Sequence, residues 1–109
     1  MTELEKAQAE IWRINRELEK LTADKKNLEL NQRLPALQQL GIVRGKCIRL
    51  KNAGLPVFEA EEELRIAQKA VEQVEAEVDD LALKIQLAAN RLQAARGYFH
   101  KINNSNAMI

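Results

Sequence analysis

The sequence predicts an all-α protein, a helical bundle or coiled coil built from two long amphipathic helices and a shorter middle helix. Three observations carry that prediction. Two interleaved apolar series run seven residues apart through the second half of the chain: Leu64, Val71, Val78, Ile85, Leu92, Phe99 and Ala67, Val74, Leu81, Ala88, Ala95, Ile102. Matching series, Leu4, Ile11, Leu18 and Ala7, Ile14, Leu21, Leu28, run through the start. Apolar residues alternately three and four apart keep one stripe of a helix against a partner. The composition agrees, with 46% apolar, 30% charged and only 4% aromatic residues, a balance that suits helical bundles and not a β core.

The first helix is expected over residues 3 to 33. Thr2 followed by Glu5 fits a capping box at its start. Its apolar stripe weakens toward the end, where Lys25 and Gln32 fall on it. Glu3, Glu10, Glu17 and Asp24 recur just before each member of the first series, as a solvated edge that can also bias partner choice. Trp12 lies beside the seam. Either a further helix or subunit packs over the indole, the favoured reading, or Trp12 anchors another protein.

Pro35 is expected to end or kink the first helix, because it lacks a backbone donor and biases Leu34 away from helical angles. The next stretch, 36 to 53, reads as a shorter second helix with Leu37, Leu40, Val43, Cys47 and Leu50 on one face. Gly41 and Gly45 weaken it by about 1 kcal/mol each, and the run IVRGKCIRL also tempts a strand reading. The exit favours the helix: Gly54 suits a left-handed cap, with Pro56 just beyond.

The third helix is expected over 58 to 102, about 65 Å at the usual rise. Ala82, Ala89 and Leu87 broaden its apolar arc in the middle, which implies two neighbours. Such a stripe needs covering by the rest of the chain or by a second copy. Residues 1 to 103 are read as one helical domain, and 104 to 109 as a flexible tail.

Charge is balanced overall at +1 but unevenly placed. From Arg33 to Phe58 the only charged residues are Arg33, Arg44, Lys46, Arg49 and Lys51, whereas Glu59 to Asp80 is strongly acidic and everything charged beyond Asp80 is basic. Such polarity complements helix dipoles and favours antiparallel pairing. The five cations, with Trp12, are the candidate partner-binding residues. They are scattered round the helix and carry no interleaved aromatic residue to stack on bases, so nucleic acid is the second reading, not the first.

A search for chemistry finds no catalytic constellation. His100 is the only histidine, Cys47 sits on an apolar face, and Glu72 with Glu75 lacks the histidine partners of a carboxylate-bridged metal site. No phosphate loop or zinc spacing is present; no enzyme, cofactor or metal is expected. The lone cysteine excludes an intramolecular disulfide and suits a reducing compartment. With no apolar run of membrane-spanning length and an acidic, polar beginning, a cytoplasmic protein away from membranes is expected. The leading expectation is a small non-enzymatic interaction or assembly protein that binds another protein through a helical surface, as a homodimer. The alternatives are a nucleic-acid-binding regulator using residues 33 to 51, or a prefoldin-like chaperone subunit with a central β hairpin.

Overall fold

The computed structural model describes residues 1–107, and no strand occurs among them. The element order is α1 (Glu3–Leu28), a π-helical turn (Glu29–Arg33), α2 (Leu34–Asn52) and α3 (Phe58–Ala107). The all-α class therefore holds, but the expected three separate helices do not. α1, the π turn and α2 form one unbroken helical path, so the chain makes two long helical stretches.

Pro35 fails to end the first helix for a reason visible in its surroundings. The amide of Leu34 donates to the carbonyl of Glu29, five residues back, so the ladder is already offset where proline lacks its donor. Leu34 keeps helical angles of φ −61° and ψ −49° despite preceding proline. The π turn also solves a problem of phase. The covered positions run Leu4, Ala7, Ile11, Ile14, Leu18, Leu21, Lys25, Leu28, and then Arg33, Ala36, Leu40, Val43, Cys47, Leu50. Three- and four-residue steps give way once to a step of five, between Leu28 and Arg33. A π turn absorbs that extra residue and keeps the stripe on one side.

The ends of the elements follow local chemistry. The amide of Glu5 donates to the Thr2 hydroxyl at 3.1 Å, and that hydroxyl donates to the Glu5 carboxylate at 3.2 Å. α2 ends in a Schellman motif: the Leu55 amide donates to the Leu50 carbonyl at 3.0 Å and the Gly54 amide to the Lys51 carbonyl at 3.1 Å. Gly54, with φ +68°, is the only described residue with a positive φ and has the freedom this turn requires. α3 runs on to Ala107, beyond the expected end at 102, so residues 104–107 of the expected tail are helical. Residues 108 and 109 lie outside the described part.

The chain divides into two compact units. Unit 1 joins Met1–Asp24 with the chain from Leu81 onward. Its buried residues include Ala7, Ile14, Ala88 and Leu92. Unit 2, Lys25–Asp80, is a helical hairpin closed by the turn at Gly54. Its core is Leu40, Val43, Cys47, Ala60 and Ala67, with Leu50, Leu64 and Val71 packed against it. Burying a side chain such as Leu40 or Val43 contributes about 2 kcal/mol. Alanines at Ala60 and Ala67 let the helices approach closely.

Candidate interaction surface

Cross-helix ion pairs set the register in each unit. In unit 2, Arg33 donates to Glu75 at 3.4 Å, Lys46 to Glu63 at 3.1 Å, and Lys51 lies 3.7 Å from Glu61. The partner number falls as the residue number rises from Arg33 to Lys51, so the hairpin is antiparallel. In unit 1, Arg91 donates to Glu17 at 2.7 Å. These pairs are all about half exposed, and each contributes at most about 1 kcal/mol. Their larger effect is to choose the register.

Three of the five candidate cations, Arg33, Lys46 and Lys51, are therefore engaged by glutamates of α3. Arg44 and Arg49 make no ion pair among the described residues. Arg33 is unusual in sitting on the seam itself: its guanidinium reaches outward to Glu75 while its Nε is buried without a partner. Lys25, also on the seam, pairs with Glu29 at 3.1 Å.

The expected seam residues split by depth. Ile14, Val78 and Leu92 are buried, while Leu4, Ile11, Leu18, Leu21, Leu64, Val71, Val74, Leu81, Ile85 and Phe99 are half-buried along the same stripe. Of the broader arc expected around the middle of α3, Leu87 is more than half exposed and Ala82 is exposed, whereas Ala89 is half-buried; Leu83 nearby is also more than half exposed. Trp12 is 61% exposed, with the Arg16 guanidinium 4.3 Å from its ring centre. No further helix of the described chain covers the indole, because Trp12 projects beside the stripe, so the favoured expectation would need a second subunit to cover it.

Two grooves flank the seams. One, in unit 1, has a volume of about 560 Å³ and is lined by Glu17, Leu21, Lys84, Leu87, Asn90, Arg91 and Ala94. The other, in unit 2, has about 270 Å³ and is lined by Gln39, Val43, Glu63, Ile66, Ala67 and Ala70. Both are open and mostly apolar. Ile42, Ile48 and Ile66 add further exposed apolar surface on unit 2.

Chemistry is sparse in the described residues. Cys47 is buried in the core, as its apolar face implied. His100 is exposed and meets Phe99 edge-on at 6.0 Å; α3 continues past it, so it does not sit at a helix end. Glu75 is held by Arg33. No group of His, Cys, Asp or Glu able to hold a metal occurs among the described residues, and no helix is long and apolar enough to cross a membrane. The hydrogen bond from Arg65 holds the Glu62 carboxyl below the usual glutamate range.

No protein-family model matches this chain, and none of the curated proteins or solved structures does either.

Proposed function

We propose that this is a small non-enzymatic helical protein that binds other protein chains through its outer helical surfaces, acts as a homodimer, and works in the cytoplasm. The observation that carries the reading is the set of large apolar side chains left outside the seams. Trp12, Ile42, Ile48, Ile66, Leu83 and Leu87 are each more than half exposed, on regular helix rather than in loops. Rigid helices bearing apolar side chains beside open grooves are how helical proteins hold one another.

The nucleic-acid reading loses support once the hairpin forms. Counterion release needs several free cations on one surface, and α3 glutamates engage three of the five cations between Arg33 and Lys51. The prefoldin-like outline requires a hairpin of strands where α2 is helical.

Light scattering coupled to gel filtration over a range of concentrations tests the homodimer, and a monomer at every concentration would refute it. For the outer partner, the test is quantitative capture with the wild-type chain and with Trp12→Ala and Ile48→Asp variants of unchanged helicity. A partner retained by the wild type and lost by one variant supports the reading; capture indifferent to both removes these surfaces from it.

A further inference from the structure

One side of unit 2 is complementary to itself, and we propose that it is the face on which two copies of this chain meet, α2 of each stacked on α3 of the other. The inference rests on the homodimer reading above and names its surface.

The side is marked by the Lys46–Glu63 pair and the groove beside it. On α2, Ile42 lies between Gln39, which lines that groove, and Lys46, three and four residues away, so it shares their side. On α3, Ile66 lines the groove itself, between Glu63 and Ala70. Ile42 is 64% exposed and Ile66 58%. Seven residues from each, in the direction of the hairpin turn, stands a charge: Arg49 after Ile42 and Glu59 before Ile66. Seven residues is two helical turns, so each charge lies on its isoleucine's stripe. Both are exposed, and neither makes an ion pair among the described residues.

The register makes these four residues fit together. With Lys46 opposite Glu63 and Arg33 opposite Glu75, Ile42 is level with Ile66 and Ala67, and Arg49 is level with Glu59 and Ala60. A second copy related by a two-fold axis parallel to the helices brings its α3 over α2 of the first, antiparallel and at the same height. Ile42 then meets Ile66 of the second copy, and Arg49 meets Glu59 of the second copy. The two-fold repeats both contacts, so four exposed apolar side chains and four unpaired charges are satisfied together. An isologous interface requires this self-matching pattern. Stacking α2 on α2 would instead set basic segment against basic segment. Charge complementarity therefore selects the second copy as occupant and fixes which helix it offers.

The test uses the full chain in sedimentation equilibrium, with circular dichroism to confirm unchanged helicity. The wild type is expected to dimerise. Arg49→Glu and Glu59→Arg are each expected to weaken self-association at least tenfold, by opposing like charges at both symmetric contacts. Mixing the Arg49→Glu chain with the Glu59→Arg chain should restore association to within about threefold of wild type, because every contact in the mixed dimer again joins opposite charges. A merely structural effect of either substitution would not be repaired by mixing. Ile42→Lys, which touches nothing in the seam, should give a folded monomer. A wild-type monomer would overturn this face and the homodimer together. A wild-type dimer unaffected by Ile42→Lys, or single variants not rescued by mixing, would overturn this face and leave the homodimer standing on another.

Discussion

Replacing Gly41 and Gly45 by alanine separates what α2 needs locally from what its outer face does. Both are helical with ordinary negative φ. A methyl group built on Gly41 meets nothing within 4 Å, and one on Gly45 meets only the end of the flexible Arg49 side chain at 3.6 Å. Within the chain neither glycine relieves a clash, so each costs the helix the usual penalty of about 1 kcal/mol relative to alanine. The double variant should gain about 2 kcal/mol. For a chain of this size that raises the melting temperature by roughly 10 °C, measured by circular dichroism at one fixed protein concentration. Gly54→Ala is the internal control with the opposite sign. Space is open there too, but φ of +68° penalises any side chain, and a loss of about 1 kcal/mol is expected. Gly41 shares a stripe with Leu37 and Ile48, away from Ile42, so Gly41→Ala alone should leave dimerisation unaffected, whereas Gly45 lies three residues from Ile42 and four from Arg49, on the face proposed for the dimer. If Gly41→Ala lowers the melting temperature, another chain approaches that face closely in solution, and the local reasoning is wrong.

Other outcomes follow from the seam and the surface. Leu40→Ala, in the core of unit 2, should cost about 3 kcal/mol, and an unchanged midpoint in urea would show that the hairpin is not packed there. Arg33→Met should stabilise by about 1 kcal/mol, because it removes a buried, unpartnered Nε at the expense of a half-exposed ion pair; destabilisation in the same urea assay would show that the Glu75 contact outweighs it. Glu62 should titrate below an ordinary glutamate by NMR, and Arg65→Met should return it to the usual range. A carboxyl depressed on folding adds stability that is fully present above its unfolded-state pKa and is lost as pH falls through the folded value. The Glu62–Arg65 contribution should therefore vanish only in acid, and a Glu62 titration unmoved by Arg65→Met would contradict the assigned cause.

The parts of the fold that depend on near neighbours were legible in the chain. Heptad series in the first and third helices marked the stripes that are covered, since a helix turns its side chains by a constant angle. Thr2 with Glu5 and Gly54 with Pro56 marked one helix start and one helix stop, because each supplies the group or the dihedral angle that the local backbone lacks.

Pro35 shows where such reasoning stops. Its local preference is to end or kink a helix, and the sequence predicts one or the other; the packed hairpin keeps the path helical through the π turn, because burying Leu40, Val43 and Cys47 outweighs one missing hydrogen bond. The signal was present as a one-residue slip in phase, with Ala36, Leu40, Val43, Cys47 and Leu50 in step with one another and one residue out of step with Leu28. Composition alone cannot say whether such a slip is a loop or a π turn. Exposure belongs to the same class. Trp12, Ile42 and Ile66 are apolar and lie near a stripe, but whether a second helix reaches round to cover each is a matter of how many neighbours the fold provides. Each local property depended on a few adjacent residues and could be read from them, whereas the outward faces were decided only when one helix, and no more, closed over each seam.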